Sequence, residues 1–200
     1  MRSEAIENKP GLAWCLVIGY ALLAVGLRLV PRLLGPNTYW PWQLTAVGAL
    51  GLFAGARVRS HGALLVPVAA MLVSDLFLWK LLTNEGLPTF GRLTLIHYAL
   101  FLLYALIGRF LMTKTSPLWI GGASLAGSLQ FFVLSNFSVW YFGDGTHYAK
   151  NLTGLTECYA AAIPFFQNTL AGDLVFSALF FGLYTVLLPL RERQKASQPA

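Results

Sequence analysis

Charged residues are scarce in this sequence, where Asp, Glu, Lys and Arg together make up only 11% of 200 residues. Soluble domains carry about 25% charged residues, and a chain with far fewer lacks the polar groups to cover a surface that faces water. Hydrophobic residues make up 56% of the chain, and the mean hydropathy is +0.62. The composition argues against an ordinary soluble protein and predicts a single domain, residues 1–200, embedded in the lipid bilayer.

Cysteines and catalytic motifs are also scarce. The two cysteines, Cys15 and Cys158, give neither a disulfide framework nor a metal-binding spacing. The metalloprotease, redox, hydrolase and phosphate-loop motifs are missing. The net charge of +6 comes from basic residues scattered between apolar blocks, which is not the concentrated basic face of a nucleic-acid-binding protein. We therefore expect no catalytic residue, no metal site, no cofactor and no nucleic-acid partner.

What the chain does contain is a series of apolar segments, and a helix needs about 20 such residues to cross a bilayer. The segment 44–56 is short, but the aromatic residues Tyr39, Trp40 and Trp42 precede it and would extend it into the interface. The fold class predicted is an all-α integral membrane protein with six transmembrane helices. The six spans are 12–30, 44–56, 62–79, 93–112, 117–142 and 174–190.

A seventh apolar segment, residues 158–172, precedes the last span. It contains Pro164 and ends at Gly172-Asp173, so it is both short and interrupted. Irregular backbone inside a membrane requires cover from protein or water. The segment is therefore predicted to be a re-entrant or interfacial helix that packs against the bundle.

The distribution of basic residues predicts the orientation. With the amino terminus inside, nine of the 14 Lys and Arg residues lie on the cytoplasmic side, which agrees with the positive-inside rule. Both termini are then cytoplasmic in a multi-pass protein of the cell (inner) membrane. The outer connections are longer than the inner ones, and long connections carry function more often than tight turns.

Polar residues inside spans are costly and are therefore candidate site residues. In the predicted topology Asp75, His97, Asn136, Trp140 and Asp173 converge on the outer half of the membrane. The first three each share a helix face with aromatic or sulfur-containing side chains. Apolar walls with a few orienting polar groups are typical of small-molecule pockets. The candidate solute-binding residues are Asp75, His97, Asn136, Trp140, Tyr159, Asn168 and Asp173.

The same residues also have structural interpretations. Asp75 would pair with Lys80, and Asp173 would cap the last span through its carboxylate. His97 would be a buried, hydrogen-bonded histidine. Trp140 would belong to an aromatic belt at the interface, and the asparagines would bond across helices.

The carboxy-terminal half carries a resemblance to a known family. Its distinctive residues are NFSVW at 136–140, GL at 154–155, CY at 158–159 and AIPFFQNTLAGDL at 162–174. They resemble an uncharacterised bacterial family of small membrane transport proteins, and the block at 46–55 and Ser74-Asp75 fit as well. The resemblance covers about residues 12–190. That family is similar to the substrate-binding S components of energy-coupling-factor vitamin transporters.

The resemblance implies a six-helix protein with cytoplasmic ends and a pocket that opens outward for a vitamin-like solute. It also implies an energising transmembrane and ATPase module as a partner, which S components contact through small residues on the first helix. Ala21, Ala24 and Gly26 are the small residues available there.

Three functional hypotheses follow from these patterns. The first is a membrane protein that binds a small solute from outside and assists its uptake. The second is an intramembrane enzyme that uses Asp75, His97 or Asp173 as acid and base on a lipid-linked substrate. The third is a non-catalytic scaffold, whose small-residue faces, such as Gly51 and Gly55, hold partner helices.

Overall fold

The structure, a computed structural model, describes residues 10–33, 46–83, 90–112 and 116–196, and every long element in these ranges is a helix. Within them, five helices are long and apolar enough to cross a membrane, while α2 has only 11 residues. The prediction of a helical protein of membrane type is thus confirmed. Tyr39, Trp40 and Trp42, which were predicted to extend the second span, lie outside the described residues. The helices are α1 (Pro10–Leu33), α2 (Val47–Arg57), α3 (Val66–Thr83), α4 (Arg92–Leu111), α5 (Pro117–Phe142) and α6 (Leu152–Ala196), with a 3₁₀ turn at His61–Leu65.

Helix α6 replaces two elements of the prediction. The prediction of a separate short helix over 158–172 is wrong, because α6 runs through these residues and through the last predicted span without interruption. Pro164 lies on the exposed side of α6, and membrane helices tolerate proline where neighbouring groups satisfy the freed carbonyl. At 1.5 Å per residue the helix is about 67 Å long, roughly twice the thickness of the bilayer core.

Helices α5 and α6 form an antiparallel hairpin, and we call the end that carries residues 143–151 the hairpin end. Along the pair, the Tyr159 hydroxyl donates to the Val133 carbonyl at 2.8 Å. Deeper in the bundle, the Ser128 hydroxyl donates to the Asp173 carboxylate at 2.6 Å. Helix α1 begins and α6 ends at the opposite end, the terminal end.

The short helix α2 lies in the interior, and all residues from Val47 to Gly55 are buried. Its Phe53 ring packs against aromatic rings of α1 and α6, with centroids 5.1 Å from both Tyr20 and Phe181. The Tyr20 hydroxyl in turn donates to the Phe180 carbonyl at 3.1 Å. Because neighbouring helices enclose α2, it does not need the length of a lipid-facing span.

Glycines allow α2 and α4 to pack backbone against backbone. A Cβ atom on Gly55 would lie 1.9 Å from the Ala105 carbonyl oxygen, and one on Gly108 would lie 2.2 Å from the Leu52 carbonyl oxygen. Close approach of this kind is the usual role of small residues in membrane helices. Gly51 and Gly55 therefore serve the packing of α2 against α4 within this chain.

We predict that Gly55→Ala lowers the free energy of unfolding by about 1–3 kcal/mol or more, because the new methyl group forces α2 and α4 apart. Gly19→Ala is the control, since no atom lies within 4 Å of the corresponding Cβ position and alanine favours a helix by up to about 1 kcal/mol. Unfolding in detergent followed by circular dichroism measures both. Equal stability of the two variants would contradict the close packing.

Candidate functional site

An ion pair lies between α1 and α3, within the apolar segments. The Arg28 Nη2 atom donates to Asp75 Oδ1 at 2.5 Å, and the Tyr98 hydroxyl of α4 donates to Asp75 Oδ2 at 2.8 Å. The Arg28 and Asp75 side chains are 17% and 22% exposed, so the pair is partly accessible. Arg28 and Tyr98 thus occupy both oxygens of the Asp75 carboxylate, whereas the sequence suggested Lys80 as the partner.

His97 and two phenylalanine rings surround this pair. The His97 ring stacks on Phe131 with centroids 5.7 Å apart, and Phe90 lies 6.2 Å from the Tyr98 ring. His97 directly precedes Tyr98 in α4. We call Arg28, Asp75, His97 and Tyr98 the ion-pair cluster. The sequence predicted Asp75 and His97 in the same half of the membrane, and their joint role in solute binding stays a prediction.

A second polar group lies deeper in the bundle. Asp173 is only 2% exposed, and its Oδ2 accepts hydrogen bonds from the Tyr104 hydroxyl and the Ser128 hydroxyl, both at 2.6 Å. The backbone N–H of Ala49, in the first turn of α2, also donates to the carboxylate. The Ser124 hydroxyl donates to the Asp173 carbonyl at 3.5 Å. We call Asp173, Tyr104 and Ser128 the carboxylate cluster.

Asp173 caps α2 from a different helix. The residue before α2 is Ala46, which provides no side-chain acceptor for the first amides. Helix amino termini carry unsatisfied N–H groups and a partial positive charge, and the Asp173 carboxylate compensates both. The prediction that Asp173 caps the last span was wrong, because α6 begins at Leu152 and passes through residue 173.

Two glycines make room for this arrangement. A Cβ atom on Gly48 would lie 2.2 Å from Asp173 Oδ1, and one on Gly127 would lie 2.4 Å from the Tyr104 ring. The two clusters are neighbours, because Phe131 contacts the rings of both His97 and Tyr104, at 5.7 and 6.4 Å. The structure nevertheless keeps the Asp75 and Asp173 carboxylates in separate hydrogen-bond networks.

The remaining predicted residues belong to the α5–α6 hairpin. The Asn136 amide donates to the Phe132 carbonyl of its own helix at 2.8 Å. Trp140 Nε1 donates to the Ala149 carbonyl at 2.9 Å, and Tyr159 bonds to α5 as described above. Asn168 is half-buried on α6. The contacts of Trp140 and Tyr159 stabilise the hairpin, whereas that of Asn136 lies within α5. A role for any of the four in solute binding stays a prediction.

The connection between α5 and α6 is held by its own polar contacts. Lys150 Nζ donates to the Tyr141 carbonyl at 2.8 Å and lies 5.5 Å from the centroid of the Trp140 ring. The Thr146 hydroxyl and backbone N–H both donate to the Asp144 carboxylate, and these bonds lower the pKa of that carboxyl.

Residues 8–197 match a protein family that is described as a family of unknown function, DUF6580. The chain belongs to this family. No curated protein and no solved structure matches it. For this member of DUF6580, the resemblance to S components therefore stays a prediction, and function has to be argued from the two clusters.

Four residues of the clusters escaped the sequence reasoning. Arg28 was missed because a basic residue near the end of a span is explained equally well as a residue that sets the orientation in the membrane. The position of Tyr98 next to His97 was an available signal. Tyr104 and Ser128 carry hydroxyl groups that single-chain patterns cannot distinguish from ordinary helix residues.

We predict that Asp173→Ala lowers the free energy of unfolding by about 2 kcal/mol or more. The change leaves the Tyr104, Ser128 and Ala49 donors buried without an acceptor, and each such group costs about 1–3 kcal/mol. Asp173→Asn keeps one acceptor oxygen and should lose less. Denaturation in detergent measures these changes against Asp144→Ala, an exposed carboxylate, and a loss no larger than that of the control would refute the capping role.

Proposed function

We propose that this protein binds a small solute at the ion-pair cluster and assists its uptake across the membrane. The observation that carries the proposal is the partly exposed pair of Arg28 and Asp75 inside otherwise apolar helices. Charged residues in membrane segments are rare and costly. A buried ion pair is weak evidence for a stabilising role, so a functional use of these charges is favoured.

The chemistry of the cluster suits recognition of a polar molecule with an apolar body. Arg28 can donate to carboxylate or phosphate oxygens, and Asp75 can accept from N–H or O–H groups. Tyr98 and His97 add groups that can donate or accept. The Phe90 and Phe131 rings provide apolar walls, and this combination is typical of small-molecule sites. A vitamin-like solute, as the resemblance implies, has this character.

The proposed setting is a bacterial inner membrane crossed six times, with both termini in the cytoplasm and the hairpin end outside. Three features support it. Helix α1 begins and α6 ends at the same end of the bundle, Arg57, Arg59 and Arg109 lie at that end, and basic residues favour the cytoplasmic side. The ion-pair cluster then lies in the outer half, where an external solute reaches it.

Uptake also requires a change in access and a source of energy. The resemblance to S components implies an energising transmembrane and ATPase module, and we propose such a module on the cytoplasmic side as the partner. Movement of α1 or α3 would open the Arg28–Asp75 contact, since each helix contributes one charge.

The two alternative functions have weaker support. An intramembrane enzyme has no role for Asp173, whose carboxylate is already bonded to Tyr104, Ser128 and α2. The scaffold hypothesis relied on Gly51 and Gly55, which pack against α4 within the chain. Turnover of a lipid-linked substrate, or a stable complex without solute, would restore these alternatives.

Native mass spectrometry of gently purified protein tests the proposal. We expect the wild type to carry a defined non-lipid molecule. In Asp75→Ala and Arg28→Gln the affinity for this molecule should fall at least about tenfold, which corresponds to about 1.4 kcal/mol of binding free energy. Asp144→Ala, which removes an exposed carboxylate, should retain the molecule. Asn136→Ala tests whether the site extends to α5, and we expect a smaller loss there.

Loss of the molecule in Asp144→Ala to the same extent as in Asp75→Ala would show that the ion-pair cluster is not the site. A wild-type protein that carries only lipid, and that takes up no solute in vesicles, would overturn the proposed function. Melting temperatures of all variants separate loss of binding from loss of fold.

A further inference from the structure

The terminal end of the bundle contains a guanidinium group of which two nitrogens have no hydrogen-bond partner. Arg57, the last residue of α2, places its Cζ atom 5.4 Å from the ring centroids of both Phe181 and Tyr184 on α6. Cation–π contacts of this kind fix the orientation of the group and compensate part of its charge. They provide no acceptor for its N–H groups.

The unsatisfied atoms of Arg57 are two particular nitrogens. Nε and Nη2 are enclosed and have no hydrogen-bond partner, and the hydroxyl of Tyr184 is enclosed and unpartnered as well. Nε and Nη2 share one edge of the guanidinium plane, and their N–H bonds run parallel. This edge matches two oxygens of a phosphate or carboxylate, which is the strongest form of arginine recognition.

Arg57 has no balancing carboxylate among the residues that the structure describes. Among the acidic side chains that the structure describes, Asp75, Asp144 and Glu157 belong to the hairpin half, and Asp173 lies at the start of α2. The nearby Arg109 already donates to the carbonyls of Val58 and Ser60, at 2.7 and 2.8 Å, and adds a further positive charge. Buried polar groups without partners are few in native proteins, and a bound ion or water commonly supplies the missing partner.

We propose that the Nε–Nη2 edge of Arg57 and the Tyr184 hydroxyl form a binding site for a phosphate group. The edge is enclosed, so binding requires the Arg57 or Tyr184 side chain to rotate. The phosphate comes either from the headgroup of a lipid at this end of the bundle or from free phosphate in solution. This site lies at the opposite end from the ion-pair cluster and does not depend on the proposed uptake function.

The experiment measures ligand retention by native mass spectrometry on full-length protein that has been delipidated in detergent. The probes are phosphatidylglycerol, inorganic phosphate, and a diacylglycerol with the same acyl chains but no phosphate. We expect the wild type to retain phosphatidylglycerol or inorganic phosphate, and to retain diacylglycerol at least tenfold less. Arg59→Gln is the matched control, because Arg59 is exposed and lies two residues away.

The variants distinguish paired hydrogen bonds from Arg57 to the phosphate from simple charge attraction. Arg57→Gln should reduce phosphate retention at least tenfold, and Arg57→Lys severalfold, because lysine keeps the charge but not the paired donors. Tyr184→Phe keeps the ring and removes the hydroxyl, so it should weaken retention severalfold with an unchanged melting temperature. If Arg57→Gln does not fold, Arg57→Lys and Tyr184→Phe decide the question.

Each outcome has a defined meaning. Retention of phosphatidylglycerol that inorganic phosphate does not displace identifies a lipid headgroup as the source, and retention of inorganic phosphate alone identifies a free anion. Equal retention in wild type and in the Arg57 and Tyr184 variants overturns the site. Equal losses in Arg57→Gln and Arg59→Gln overturn it too, as does retention of neither phosphate probe or retention of diacylglycerol equal to that of phosphatidylglycerol.

Discussion

The hydrogen bonds to the Asp173 carboxylate are the interaction on which the bundle depends. They join α4, α5 and α6 to the first turn of α2 at one point in the interior. In an apolar medium, a helix end without such a partner would leave several N–H groups unpaired at a large cost. A helix as short as α2 can therefore begin inside the bundle only because another helix supplies its acceptor.

This constraint determines much of the surrounding sequence. Gly48 and Gly127 must lack side chains so that the carboxylate and the Tyr104 ring can fit. The position of α2, once fixed, brings Gly55 against the α4 backbone and Phe53 into the aromatic core. At the end of the same helix, Arg57 lies against two rings of α6. The contacts at the centre of the bundle and those at its terminal end thus both depend on one short helix.

The sequence predicted what depends on composition and on local signals. The bounds of α5, predicted as 117–142, coincide with the helix because Pro117 follows the capping residue Ser116. Residue counting gives depth in a membrane and predicted Asp75, His97 and Asp173 in one half of it, but the Asp75 and Asp173 carboxylates lie in separate hydrogen-bond networks. The pairing of Arg28 with Asp75 was missed, since depth does not reveal which helices are neighbours or how they are rotated. The break expected near Pro164 did not occur, because a proline on the exposed side of a long helix removes one hydrogen bond without ending the helix.

The length of α6 has a mechanical consequence. A helix of 45 residues is a rod about 67 Å long, and only about half of it fits within the thickness of the bilayer core. Asp173, roughly midway along it, is where the rod is fastened to three other helices. If the rod pivots at that point, a small tilt at the hairpin end becomes an opposite displacement of similar size at the terminal end. Such a lever would transmit movement between the two sides of the membrane through a single element.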